Sequence, residues 1–193
     1  GLKMVLPDPL RIALDENGRH ISFYSDPVKT AESISQHSSK DANKWHEFTS
    51  YIKKLTRFLE PLYRITPPII SEFGLKDVLS MSALLKPILK HDSRGLVDTI
   101  RSIPMMMPEL LDEWFESKLL RGSLAASGIA HITQGPYSAA TVLNFLHQHI
   151  YSNGQINNAL FIKNGTDQFV QALCLSAKNK GVDIRTGTPV ASI

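Results

Sequence analysis

The sequence predicts an α+β fold, a mostly helical domain packed on a small sheet that the two ends of the chain form together. Three observations carry this expectation. Alternation of apolar and polar residues with period 2 is confined to residues 10–24 and 182–193. Trp45, Phe48, Ile52, Leu55, Leu59 and Leu62 recur at spacings of 3 and 4, which puts them on one face of a long helix. The stretch between the ends is punctuated by caps, prolines and glycines that start and stop helices.

Leu10-Arg11-Ile12-Ala13-Leu14 and His20-Ile21-Ser22-Phe23-Tyr24 alternate around Asp15-Glu16-Asn17-Gly18, and Asn17-Gly18 is hairpin turn chemistry. Asp26-Pro27 reads as a cap followed by proline in the first turn, opening a helix from Val28 to about His37. Ser38-Ser39, with Asp41 in the first turn, opens the striped helix, which Pro61 and Pro67-Pro68 end or kink near Leu62. Further helices are expected over 72–92, where Leu75, Val78, Leu79, Leu84, Leu85, Ile88 and Leu89 are apolar and Pro87 breaks the pattern late, and over Leu96 to Ser102. Glu109 to Glu116 starts acidic, which suits a helix dipole, and its large aromatics Trp114 and Phe115 are expected inside. Lys118 to Ser127 follows, with Gly128 as its stop. Gly135-Pro136-Tyr137-Ser138 turns the chain into a helix from Ala139 to His149, and 152–158 is a polar loop. Asp167 to Lys180 is amphipathic and closed by Gly181, after which Val182 to Arg185 and Val190 to Ile193 read as strands. A strand needs a neighbour for its backbone groups, so the partner of this last one is expected earlier in the chain, in another chain or in further sequence of the same protein.

With 193 residues, 42% of them hydrophobic and 20% charged, the chain can bury the core of one large domain or two small ones. The net charge of +3 sets 21 Lys and Arg against 18 Asp and Glu without a like-charge run, which argues against a nucleic-acid partner. No apolar run approaches the roughly 18 residues that span a bilayer, and the first residues lack the apolar core of a signal peptide. A lone cysteine, Cys174, forms no internal disulfide and reads as a small buried hydrophobe, so the expected compartment is the reducing cytoplasm, with membrane association of a longer protein left open.

Candidate chemistry is sparse. His147 and His149, two apart on a helix, point roughly 200° from each other and hold no common metal. Glu109, Asp112, Glu113 and Glu116 read as a solvated acidic face. Gly-x-Gly-x-x-Gly, Gly-x-x-x-x-Gly-Lys and Gly-x-Ser-x-Gly are all missing. Met105-Met106-Met107, framed by Pro104 and Pro108, is an adaptable apolar patch that either fills core or walls a ligand.

Residues 103–150 carry more. Leu110-Leu111-Asp112-Glu113-Trp114-Phe115-Glu116-Ser117, then Leu120 to Ala125, then Gly135-Pro136-Tyr137-Ser138-Ala139-Ala140-Thr141 follow in the order and spacing of the central region of phytoene-desaturase-like flavoproteins, a family that includes the pyridine nucleotide-disulfide oxidoreductase domain-containing proteins, and the chain resembles that family. Phe161 to Gly165 stands where the family has an aromatic residue and a Gly-Gly loop, with Asn164-Gly165 in place of the paired glycines, and Gly181 to Gly187 is similar to its Gly-Ala-x-Ile-x-Thr strand. Asp26, Thr30, Ile34, Ser38 and Asp41-Ala42 resemble the segment after its first substrate-domain hairpin.

The resemblance implies a substrate-binding domain over 1–180, with strands over 181–193 leading back to an FAD-binding domain of the same protein that lies outside this sequence. It implies FAD as cofactor of that longer protein, held here by Val190, Lys163 and Gly165, and no FAD on this chain alone. A largely apolar substrate, contacted by Gly135, Pro136, Met105 and Met106, would give hydride to the flavin, and no residue of the chain need act as a catalytic acid or base. Bare strand edges would let the isolated chain self-associate. A helical binding or interaction module without catalysis is the alternative.

Overall fold

The computed structural model describes residues 2–64, 74, 93–152, 156 and 160–192. The helix expected over 72–92, most of the loop expected over 152–158, and Ile193 lie outside them. Two compact units divide the chain: Asp8–Asn158 forms one, and Gly1–Pro7 joins Ala159–Ile193 in the other.

The larger unit opens with the expected hairpin. In the smaller unit β1 is Met4–Val5, so the hairpin strands are β2, Arg11–Leu14, and β3, His20–Phe23, paired antiparallel with Arg11 opposite Phe23 and Leu14 opposite His20. Its turn is held by the Asp15 carboxylate, which accepts from Asn17 N and Arg19 N at 2.9 Å each, while Gly18 takes the φ of +76° that few other residues tolerate. Asp26 caps α1, Pro27–Ser35, accepting from Val28 N, and Ser33 of that helix accepts from Ser22 N at 2.9 Å, so α1 is pinned across β3.

Ser38 caps α2, Ser39–Leu59, accepting from Asp41 N. The stripe is the core, as expected: Trp45, Phe48, Ile52, Leu55 and Leu59 are all buried. It stops one residue short, because Pro61 turns Glu60–Tyr63 into a 3-10 helix and leaves Leu62 44% exposed. Then come α3, Ser93–Ser102, α4, Met107–Trp114, and α5, Lys118–Gly128. Expected over Glu109 to Glu116, α4 begins and ends two residues early. At its start Thr141 Oγ1 takes the Met107 N–H at 2.9 Å and the Glu109 carboxylate takes the Met106 N–H at 3.0 Å. At its end Asp41, fully buried on α2, draws away Glu116 N and Ser117 N at 2.9 and 2.8 Å, and Phe115 turns extended.

Phe115 is buried with Phe48 and Trp45, whereas Trp114 is only half-buried, its ring 5.5 Å edge-on from Phe48. Gly128 is the last residue of α5 rather than a left-handed stop beyond it; a Cβ there would run into the Met107 side chain. Ala140, at φ +62°, delays the next helix, so α6 is Thr141–His149.

In the smaller unit β1 pairs antiparallel with β4, Phe161–Ile162, and α7 is Asp167–Asn179, closed as expected by Gly181 at φ +81°. Cys174 on α7 is half-buried, not sunk in a core. The sheet expected from residues 10–24 and 182–193 does not form. Residues 182–192 contain no strand and are exposed throughout, because no strand among the described residues takes up their backbone groups. The hairpin instead packs on α1 and α5, and among the described residues the chain's early and late segments pair as strands through β1 and β4. No helix among the described residues is long and apolar enough to cross a membrane.

Candidate functional site

In the larger unit the structure brings together two segments that the sequence singled out separately. The strap Pro104–Met107 and the loop 135–142 are laced by main-chain bonds from Ala140 N to Pro104 O at 3.0 Å and from Val142 N to Met105 O at 3.2 Å. Thr141 is the knot: fully buried, it accepts from Met107 N, and its hydroxyl has Ser138 O at 3.0 Å and Pro136 O at 3.2 Å as acceptors for its one proton. Asn144 of α6 donates to Gly128 O and Ala130 O at 2.9 and 3.1 Å and ties α6 to the end of α5. Met107 fills core, fully buried in the space that Gly128 leaves. Met105, Met106 and Pro136 remain half-buried, and Gly135 is exposed with Tyr137 beside it. This arrangement offers apolar, polarisable surface on a rigid frame, with the neighbouring Glu109 carboxylate bonded to the Met106 N–H.

The other candidate residues lie in the smaller unit. After β4 the chain turns through Lys163, whose N–H donates to Lys3 O at 3.0 Å, then Asn164 and Gly165, both left-handed at φ +68° and +95°. Asparagine is among the few residues that take the place of glycine in this conformation. Beside the turn is a cleft of about 420 Å³, lined among others by Lys3, Lys163, Asn164, Gln168 and Leu175, with two lysines and no carboxylate in its wall. Gly165 lies next to that wall without forming part of it. Val190 is 77% exposed, and its main-chain groups enter no hydrogen bond among the described residues.

Sequence reasoning missed three polar features. Asp41 is one, since its spacing announced only a first-turn acid. Arg11 is another: its guanidinium stacks 4.6 Å over Phe23 and donates to Ser127 Oγ at 2.6 Å, leaving Nε and Nη2 buried without an acceptor among the described residues. Burial pulls its pKa down to about 10, so it stays charged at neutral pH. The third is His149, buried on α6, whose Nδ1 lies 2.6 Å from Phe145 O and therefore carries the proton. Its pKa is lowered by burial first and by the Arg11 charge as well, against the raising effect of the Phe145 bond. The His147 Nδ1 meets Tyr63 Oη at 3.0 Å, and the described residues hold no cluster of metal-ligating side chains.

Compared with known proteins, the chain is 25% identical along its whole length to pyridine nucleotide-disulfide oxidoreductase domain-containing protein 2 of Rattus norvegicus and of Mus musculus, covering 36% of each. It is also 27% identical, over 92% of its length and 32% of the relative's, to 4,4'-diaponeurosporene oxygenase of Staphylococcus haemolyticus. These relatives carry oxidoreductase names. At this distance they mark a broad kinship with oxidoreductases of that kind and no particular member. The chain spans about a third of the length of the curated relatives it matches. No family model matches it, and no solved structure matches it significantly.

Proposed function

We propose that this chain is the substrate-binding portion of an FAD-dependent oxidoreductase that resembles phytoene desaturases and removes hydride from a largely apolar substrate. The observation that carries the reading is the similarity, along the whole chain, to about a third of two proteins named as oxidoreductases. When bound, FAD supplies the two-electron acceptor chemistry. The task left to these residues is to hold and orient an apolar body and keep water from it, for which the half-buried Met105, Met106 and Pro136 on their laced frame are suited.

The fit to FAD is local. The left-handed Asn164-Gly165 turn lets a backbone approach a ligand closely, Lys163 adds a cation at the neighbouring cleft, and Val190 offers exposed main-chain donor and acceptor groups. The sequence has no Gly-x-Gly-x-x-Gly with which to cradle a pyrophosphate, so most of the cofactor would be held by the rest of the longer protein. That further domain is the proposed partner of the smaller unit, where Phe161, Phe169, Val170 and Leu173 are exposed, and without it those surfaces and strand edges would drive self-association.

The test is anaerobic mixing of the flavin-loaded longer protein with a long linear polyene hydrocarbon in detergent micelles. Bleaching of the flavin band is expected, and replacing Met105 and Met106 together by serine should raise the half-saturating polyene concentration while leaving flavin content unchanged. A flavin band untouched by the polyene would contradict the substrate class. Val190→Pro removes a main-chain N–H and should loosen FAD; equal flavin retention by the wild type and this variant would remove Val190 from the cofactor site.

A further inference from the structure

The larger unit has a cleft that none of the sequence motifs pointed to. Its volume is about 220 Å³, and it lies between the N-terminal end of α1 and the middle of α2. Tyr24, Pro27, Trp45 and Ile156 give it apolar walls. Lys53 and the hydroxyls of Ser25 and Ser50 give it donors.

The donors are not spent on the protein. Thr49 and Thr30, which also line the cleft, are committed, the first to His46 O at 2.9 Å and the second to the carbonyls of Asp26 and Tyr24. Ser25 and Ser50, by contrast, make no side-chain hydrogen bond among the described residues, and Lys53 enters no ion pair there. Trp45 is only 3% exposed, and its Nε1–H has no acceptor among the described residues. A buried N–H left without an acceptor is costly, and native proteins rarely keep one. No carboxylate lines the cleft, and Asp26, between two lining residues, has turned its own to Val28 N at 2.8 Å. The site has donors and a cation, apolar walls and no competing anion.

We propose that this cleft binds a small carboxylate with an apolar body, the carboxylate accepting from Lys53 and Ser50 and the body lying against Tyr24, Pro27, Trp45 and Ile156. A volume of about 220 Å³ suits a single ring or a short chain and not a long polyene, so the ligand is distinct from the substrate proposed above. The inference does not depend on flavin.

The experiment follows the indole N–H resonances of the isotope-labelled 193-residue chain by NMR, with Trp114→Phe identifying the Trp45 signal, while benzoate is added. Benzoate should move the Trp45 signal saturably and leave that of Trp114 in place. Benzamide, the same shape without the charge, should bind at least about tenfold more weakly, as befits a lost charge-assisted hydrogen bond. Lys53→Met keeps the apolar stem and should weaken benzoate by a similar factor at an unchanged thermal midpoint. If that variant is unstable, the benzamide comparison decides by itself. A Trp45 signal that never moves, benzamide binding as tight as benzoate, or inorganic phosphate competing on equal terms would overturn the proposal.

Discussion

Asp41 has no exposed surface, yet it lies in the first turn of α2 and holds the α4–α5 junction by two main-chain N–H groups, those of Glu116 and Ser117. The same junction is tied at the surface, where the Glu116 carboxylate accepts from Ser38 Oγ at 3.0 Å and pairs with Lys40 at 2.9 Å; these bonds lower the Glu116 pKa and raise that of Lys40. Hydrogen bonds to a buried carboxylate are the strong kind, so Asp41→Ala should cost about 3 kcal/mol in urea unfolding and Asp41→Asn, which keeps one acceptor, roughly half as much. A loss below about 0.5 kcal/mol for the alanine variant would mean that water replaces the carboxylate freely. His149 offers a pH test. Its folded pKa is depressed below the ordinary 6.5, so the unfolded chain takes up a proton first as the pH falls. The stability contributed by the neutral ring is complete above about pH 6.5 and is lost below it, down through the folded pKa. The urea midpoint of the wild type should therefore drop between about pH 7.5 and pH 5.5 more steeply than that of His149→Gln, and parallel profiles would place the proton uptake elsewhere. Neither role is legible in the sequence. Asp41 reads as any first-turn acid, because the groups it binds belong to a junction 75 residues away, and the burial of His149 depends on Phe145 and Arg11 closing around it.

Among the elements, those specified by neighbours in sequence were legible and those specified by distant neighbours were not. Asn17-Gly18 named the hairpin turn, Asp26-Pro27 and Ser38 named two helix starts, and the apolar stripe named the buried face of α2, because each depends on residues within a few positions. The strands expected over 182–193 failed for the opposite reason: period-2 alternation is permissive, and a ladder forms only where a second strand arrives. Of the candidate site, the sequence flagged Met105, Met106, Gly135 and Pro136, but their meeting depends on Thr141, whose single side chain bridges both segments. Gly128 is the element-scale test. Alanine there gains helix propensity worth about 1 kcal/mol, but its Cβ collides with Met107 and comes within 3.1 Å of Thr141 O, so overpacking should win and cost about 1–3 kcal/mol net. Shortening the obstacle should relieve the clash, so Met107→Ala with Gly128→Ala should be less destabilised than the sum of the single changes. Strict additivity in urea unfolding would mean that the two residues do not meet.

At the scale of the molecule the two units differ in kind. Every buried residue described belongs to the larger unit, whereas the smaller has none and leaves apolar side chains along α7 and β4 exposed. A unit of that kind gains little from burial and is stabilised by what covers it, for which the proposed partner is the flavin domain of a longer protein. On the same proposal this chain holds the apolar substrate and only the margin of the cofactor. The most direct measurement is the flavin content of two purified samples, the 193-residue chain and the longer protein proposed to contain it, each saturated with FAD and then desalted. The chain should emerge colourless, and the longer protein should emerge yellow, retaining close to one flavin per polypeptide. A longer protein without flavin, or an isolated chain that holds it in equal amount, would show that these residues are not the substrate-binding part of a flavoprotein.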